Sequence, residues 1–198
     1  GEWRMTRAGF LAALATALVV SLWAGAAQAQ IRSSGRHPYY GVELEPHFIW
    51  QWSGDEWSWE DGIGLGVRAS IPVIENGPVQ TINNNLAVTF GFDIAWFDND
   101  CRFGGVGVDC DETDIWIPVA VQWNFFVSQV VSLFPEFGLG FRNAARSDAW
   151  CGVADCDDSD LEVHAVLWFG ARFLVADRIA LTVRLGTPSL LFGVSFLL

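Results

Sequence analysis

Eleven ionisable residues stand singly in otherwise apolar stretches of the chain, rather than in charged runs. They comprise five carboxylates, four arginines and two histidines: Glu43, Glu45, His47, Arg68, Asp93, Glu136, Arg142, Glu162, His164, Arg172 and Arg184. Charges enclosed among apolar residues must pair and be hydrogen-bonded, because an unpaired buried charge is strongly destabilising. We therefore predict that these residues form one Arg–carboxylate network inside the folded protein.

The two histidines of this set raise the question of catalysis. His47 or His164 would serve as a general base only beside a nucleophile and an orienting acid. No Ser-His-acid set is recognisable from the spacing, so we interpret both histidines as polar interior residues and predict no enzyme activity, no catalytic residue and no cofactor. A lipid-modifying enzyme is the alternative interpretation.

Other acidic residues cluster tightly, and oxygen-rich clusters can bind divalent cations such as Ca²⁺. The weak candidates for a metal site are Asp155, Asp157, Asp158 and Asp160. This segment contains Ser159 and lacks the glycine of an EF-hand loop. We predict a solvated, negatively charged loop that binds divalent cations weakly at most, and no dedicated metal site.

Period-2 alternation from Tyr39 to Leu198 indicates about eight strands of roughly 9–13 residues each. In the last strand, for example, Phe192, Val194 and Phe196 share one face, while Gly193 and Ser195 share the other. The eleven ionisable residues fall on the small or polar faces. Long acidic connections, including one from Asp98 to Asp114, alternate with short turns.

Which face of such a sheet meets water is decided by the composition of the polar faces. These faces carry mostly Gly, Ala, Ser and Thr with single charges, which is typical of a confined interior rather than a water-exposed surface. Bulky apolar residues on every strand, with Trp50, Trp96 and Trp123 near strand ends, are typical of a lipid-facing surface with an aromatic belt. A soluble barrel that binds an apolar ligand, as lipocalins do, is the alternative.

The first 29 residues have the pattern of a secretory signal peptide. Arg4 and Arg7 precede an apolar run from Ala8 to Trp23, and Ala27-Gln28-Ala29 is a small-x-small cleavage motif. We expect cleavage after Ala29, followed by a polar lead-in over residues 30–38 and a barrel over residues 39–198. Export would place the four cysteines in an oxidising compartment, where disulfides form.

Those cysteines lie two by two in acidic segments. Four cysteines permit three connectivities, and we favour the two local pairs, Cys101–Cys110 and Cys151–Cys156. Pairing between the two segments is the alternative. Neither segment contains histidine, which argues against zinc.

The charge of the chain excludes one class of partner. Lys and Arg number 11 against 23 Asp and Glu, for a formal net charge of -12. Removal of residues 1–29 leaves 11 − 2 = 9 basic and 23 − 1 = 22 acidic residues, a charge of −13. Nucleic-acid binding needs a basic surface, so we predict no nucleic-acid partner.

The chain resembles the small eight-stranded outer-membrane β-barrels, the class that includes OmpX and the membrane domain of OmpA. The resemblance rests on the leader, the strand count, the alternation of long and short connections and the alternate apolar residues of the final strand. The resemblance covers Tyr39 to Leu198 and implies an all-β, eight-stranded, antiparallel up-and-down transmembrane barrel in a bacterial outer membrane. It also implies outer-membrane lipid and the barrel assembly machinery as partners. Members of this class usually end in an aromatic residue, whereas this chain ends in Leu198.

The sequence thus predicts a monomeric, non-enzymatic outer-membrane protein with a side-chain-filled lumen, acidic disulfide-tied surface loops, and a structural or surface-interaction role. An eight-stranded barrel has an interior just wide enough for side chains to fill. A narrow gated pore is the alternative that this reasoning leaves open.

Overall fold

Ten β-strands make up the regular structure in the computed structural model, which describes residues 30–52, 61–98, 100–103, 106–109, 112–146, 161–186 and 189–198. The strands are β1 (Glu43–Gln51), β2 (Gly62–Ile74), β3 (Asn84–Phe97), β4 (Asp100–Phe103), β5 (Val106–Asp109), β6 (Glu112–Phe126), β7 (Val131–Arg146), β8 (Leu161–Ala176), β9 (Ile179–Gly186) and β10 (Ser189–Leu197). Among these described residues, no helix is long and apolar enough to cross a membrane.

Eight of the strands close into one antiparallel barrel in the order β1-β10-β9-β8-β7-β6-β3-β2. Closure is made by pairing of the first and last barrel strands, with Glu43 opposite Leu197 and Phe48 opposite Phe192. Each remaining neighbour in the barrel follows its partner along the chain, apart from the short β4–β5 hairpin inserted between β3 and β6. The predicted all-β, eight-stranded up-and-down barrel is confirmed.

Side chains alternate between the inside and the outside of this barrel, apart from irregularities near the ends of β2 and β8. Along β1 the burial pattern is regular, with Glu43, Glu45 and His47 buried and Leu44 and Phe48 exposed. Because successive side chains of a strand point to opposite faces, the buried set faces the lumen. The enclosed surface is therefore the polar one.

Two features of the strands differ from the sequence prediction. The segment from Asp98 to Asp114 is not a simple loop, because it contains the β4–β5 hairpin and the first residues of β6. The barrel strands also span 8 to 16 residues, a wider range than predicted. The longest strands continue past their apolar portion because backbone pairing does not require apolar side chains.

Three prolines within barrel strands coincide with interruptions of the pairing ladder. Pairing is interrupted between β1 and β10 at Pro46, between β3 and β6 at Pro118, and between β6 and β7 at Pro135. Proline has no N–H to donate to a neighbouring strand, so a ladder bond is lost at each position. The barrel accommodates these losses because each proline keeps its pairing on the opposite side.

The two ends of the barrel differ. The turn end, as we name it, carries the connections 75–83, 127–130 and 177–178 together with Leu198, and the loop end is the opposite end, where β1, β3, β7 and β9 finish. The lead-in is folded against the turn end. His37 stacks on Phe126 at 4.5 Å between ring centroids and is hydrogen-bonded to Asn83 through Nδ1 at 2.8 Å, while Tyr40 is buried.

Candidate functional site: the charged lumen of the barrel

A continuous chain of ion pairs crosses the middle of the lumen. Arg184 on β9 donates from Nε to Glu136 on β7 at 3.0 Å and also donates to Glu45 on β1. Arg68 on β2 donates to the other oxygen of Glu136 at 2.9 Å and to Asp93 on β3 at 3.0 Å. Each guanidinium thus joins two carboxylates, and the five side chains connect strands from all around the barrel.

His47 closes this chain into a ring. Its Nε2 lies 2.9 Å from Asp93 Oδ1, and its Nδ1 lies 3.2 Å from the backbone oxygen of Glu45. Both ring nitrogens therefore face acceptor oxygens, and a doubly protonated imidazolium would donate to both. We call Glu45, His47, Arg68, Asp93, Glu136 and Arg184 the central network.

A second ion pair lies nearer the turn end. Arg172 on β8 donates from Nε and Nη2 to the two carboxylate oxygens of Glu43 on β1, at 2.9 and 2.6 Å. Its Nη1 lies 3.3 Å from both Asn124 Oδ1 and Ser132 Oγ. The Phe134 ring connects this pair to the central network, since it lies 4.9 Å from the Arg172 guanidinium and 5.0 Å from that of Arg184.

Neutral polar residues, which the sequence prediction omitted, complete the coordination of these charges. Thr89 donates to Glu136 at 2.8 Å, Ser195 donates to Glu45 at 3.2 Å, and Thr182 and Ser195 are hydrogen-bonded at 2.6 Å. All three hydroxyls occupy inward positions of their strands and are buried. The alternation of the strands predicts that these three residues face inward. Serine and threonine occupy many inward positions, however, so the sequence does not show which of them contact the charged residues.

Two glycines provide the room that the central network needs. A Cβ on Gly193 of β10 would lie 2.7 Å from Glu45 Cγ, and one on Gly66 of β2 would lie 3.0 Å from His47 Cε1. Both distances are below normal van der Waals contact, so a side chain at either position would displace the neighbouring charged residue.

An apolar layer lies in the lumen on the loop-end side of the central network. It consists of the buried side chains of Ile49, Trp116, Val166, Trp168 and Leu191. The Arg68 guanidinium lies 4.3 Å from the centroid of the Trp168 ring, so the ionic and apolar parts are in direct contact.

A separate group of charges, the loop-end cluster, lies beyond the apolar layer. Arg142 donates to Asp114 at 3.0 and 2.9 Å, to Glu112 at 2.8 Å and to Glu162 at 3.4 Å. Glu162 is also 2.9 Å from His164 Nε2, and these two side chains are 49% and 45% exposed. Gln51 donates to Asp114 at 2.9 Å.

The structure thus divides the eleven ionisable residues between two places. Eight lie in the enclosed lumen: Glu43, Glu45, His47, Arg68, Asp93, Glu136, Arg172 and Arg184. Arg142, Glu162 and His164 lie in the loop-end cluster, where they are partly open to solvent. Asp114, which we had assigned to an acidic loop, is buried on β6 and is the main partner of Arg142.

The outer surface has the opposite character. Large apolar side chains are exposed on every strand of the barrel, among them Phe48 on β1, Leu65 on β2, Phe92 on β3, Ile117 on β6, Phe137 on β7, Phe169 on β8, Leu181 on β9 and Phe192 on β10. Charges are inside and apolar residues are outside, the reverse of a water-soluble barrel.

The chain is a closed, eight-stranded antiparallel β-barrel with a charged interior and an apolar exterior.

Comparisons with known proteins find a likeness of fold to solved structures. No family model matches the chain, and no curated protein matches it. Three solved structures of Ail, the attachment invasion locus protein of Yersinia pestis, are similar in fold. Ail in complex with the heparin analogue sucrose octasulfate is 12% identical, with a TM-score of 0.47 over 79% of this chain and 96% of that one.

The other two structures are of the same protein. Ail without that ligand is 13% identical with a TM-score of 0.43, over 79% of this chain and 95% of that one. Ail in a phospholipid bilayer nanodisc is 14% identical with a TM-score of 0.36, over 78% of this chain and 97% of that one. The assignment of a closed eight-stranded barrel rests on the strand pairing of this chain rather than on these matches.

Several predicted sites of the barrel lie outside the described residues. These are the signal peptide over residues 1–29, the acidic residues Asp155, Asp157, Asp158 and Asp160, and the cysteines Cys110, Cys151 and Cys156, while the backbone of Cys101 lies in β4. Within the part of the chain that is described, no group of three or more His, Cys, Asp or Glu residues is placed to hold a metal ion.

Proposed function

We propose that this protein is a non-enzymatic integral protein of a bacterial outer membrane, with a lumen closed by its own side chains and with loops that act at the cell surface. The observation that carries the proposal is the reversed polarity of the barrel. Buried Arg68, Arg184 and Glu136 lie inside, and exposed Phe48, Phe92 and Phe137 lie outside.

The outer surface supports a lipid environment on energetic grounds. Burial of apolar surface is worth about 25 cal/mol per Å², and monomeric soluble proteins rarely expose contiguous apolar patches larger than a few hundred Å². Here the exposed apolar residues follow all eight strands around the barrel. In a lipid bilayer these side chains contact hydrocarbon instead of water, so this cost is removed. The backbone of a closed barrel tolerates that environment, because its polar groups are hydrogen-bonded within the sheet.

The orientation of the barrel in the membrane follows from the difference between its turn end and its loop end. Barrels of this type have short periplasmic turns and longer outer loops, so we place the turn end and both termini in the periplasm and the loop end outside the cell. We further propose that residues 1–29 are removed during export and that the barrel assembly machinery recognises β10. The mature protein is then a monomer surrounded by outer-membrane lipid.

The histidine contacts support a non-enzymatic role. His47 is held between Asp93 and the backbone oxygen of Glu45 and is buried beneath the apolar layer. His164 contacts Glu162 and the ring of Trp116. Both histidines therefore use their described contacts to join structural elements, which is the role we propose for them.

For the loops we propose the two local disulfides, Cys101–Cys110 and Cys151–Cys156, within a negatively charged surface. Peptide mapping without reduction should find each local pair, and a peptide that joins the two segments would reject this connectivity. Weak divalent-cation binding by Asp155, Asp157, Asp158 and Asp160 would be seen as EDTA-sensitive protection of the loops from protease.

Heat-modifiability combined with membrane fractionation tests the main proposal. The protein should separate with the outer membrane, and its mobility on a gel should shift when the sample is boiled, because a closed barrel resists detergent until heated. Recovery as a soluble periplasmic protein would overturn the proposal. Reconstitution in planar bilayers tests the closed lumen, since steady single-channel currents of defined size would contradict it.

A further inference from the structure

Two buried N–H donors near the apolar layer lack a protein partner. The indole Nε1 atoms of Trp116 on β6 and Trp168 on β8 are both enclosed, and neither has a hydrogen-bond acceptor among the described residues. Burial of an unsatisfied donor costs its full desolvation energy, so native proteins almost always provide an acceptor. Each of these two indoles therefore needs an acceptor that is not a protein atom.

Trp116 and Trp168 line the same small cavity. Its volume is about 10 Å³, which is near the minimum that one enclosed water molecule requires. Polar side chains from three further strands also line it: Gln51 on β1, Asp93 on β3 and Ser189 on β10. The cavity therefore combines two donors that need an acceptor with a carboxylate, an amide and a hydroxyl that can take part in further hydrogen bonds.

We propose that this cavity is a binding site for a single structural water molecule. A water can accept from the Trp116 and Trp168 indoles through its two lone pairs and donate its two hydrogens to oxygens such as those of Asp93 and Gln51. A halide ion could accept from the indoles, but it would lie beside the Asp93 carboxylate, and like charges repel strongly in an enclosed site. A metal cation would face the positive ends of two N–H groups.

The position of the cavity gives this water a structural role. On one side, Asp93 belongs to the central network, where it accepts from His47 and Arg68. On the other side, Gln51 donates to Asp114 of the loop-end cluster at 2.9 Å. The water joins these two groups into one hydrogen-bonded path through the apolar layer. The layer thus excludes ions and bulk water while it keeps the polar residues above and below it connected.

Protein–water NMR of the full barrel in detergent micelles tests the proposal. The indole N–H signals of Trp116 and Trp168 should each show a cross-peak to a long-lived water, and both should exchange slowly with deuterated solvent. Trp123 is an internal control, because its indole already donates to Asn84 at 2.8 Å. The Trp123 signal should show no such long-lived water.

The variant W168F keeps a large aromatic ring and removes one donor. It should lose the Trp168 signal and shift that of Trp116, whereas W123F should leave both cavity signals unchanged. If W168F does not fold, the water cross-peaks in the wild-type spectrum still test the proposal. Absence of water cross-peaks from both cavity indoles would overturn the proposal, and so would a bromide peak at this site in anomalous diffraction from bromide-soaked crystals.

Discussion

Arg172 on β8 donates two hydrogen bonds, at 2.9 and 2.6 Å, to Glu43 on β1, across the lumen between strands that are not neighbours in the sheet. Backbone pairing connects each strand only to the next one. Ion pairs such as this one connect strands that the backbone ladder does not join directly.

Removal of a central cation should strongly destabilise the barrel. Arg184→Met leaves Glu45 buried without its guanidinium partner and leaves Glu136 with Arg68 alone. We expect a loss of about 3–5 kcal/mol in the free energy of unfolding, the usual cost of breaking a buried ion pair by removing one partner. Denaturant titration in detergent, followed by tryptophan fluorescence, measures this change. The matched control is Arg178→Met, at an exposed turn, which should change the same quantity by less than about 0.5 kcal/mol.

Replacement of both members of one pair should cost less than the sum of the single losses. The double variant Glu43→Met with Arg172→Met removes both charges and fills the space with apolar side chains. Each single variant leaves one uncompensated charge, so the coupling energy of the double-mutant cycle should be about 1–3 kcal/mol in favour of the pair. Additive losses would show that the two residues do not interact in the folded barrel.

The loop-end cluster should be less sensitive than the central network. Arg142 is partly exposed, and solvent screens its contacts with Glu112 and Glu162. We expect Glu162→Gln, which removes the most exposed carboxylate partner of Arg142, to cost less than about 1 kcal/mol, and this loss should shrink at high salt because exposed charges are screened. The loss caused by Arg184→Met should change little over the same salt range. Equal salt dependence of the two variants would contradict the division into buried and exposed groups.

A side chain at Gly193 should disturb the central network sterically. A Cβ at this position would lie 2.7 Å from Glu45 Cγ, so Gly193→Val must displace Glu45 from Arg184 and Ser195. Overpacking of this kind costs about 1–3 kcal/mol, and the midpoint of the heat-induced gel shift should fall. Val194→Leu, at the next residue of the same strand, points outward and should leave the midpoint unchanged. A stable Gly193→Val barrel would show that the space beside Glu45 can relax.

The alternation of residue types was sufficient to predict the barrel and its charged face. A one-residue slip would move every charge of a strand to the opposite face, so residues such as Glu45, Arg68 and Arg184 could be assigned to the inside from the sequence. The strand ends were harder to predict. Asp114 looked like part of an acidic loop because composition does not show how far a backbone ladder continues past the apolar residues.

The sequence by itself determined the fold class, the inward face of each strand and the types of residue that the lumen contains. Which of these residues pair was decided only by the tertiary structure. Pairing across a barrel depends on the stagger of each strand against the next, and this stagger sets the height at which every inward side chain lies. That height places Arg184 between Glu45 and Glu136, Arg172 beside Glu43, and Arg142 beyond the tryptophans among the loop-end carboxylates. Alternation has a period of two residues and carries no information about the position of a side chain along the barrel axis. The sequence pattern therefore could not predict which of these residues form pairs.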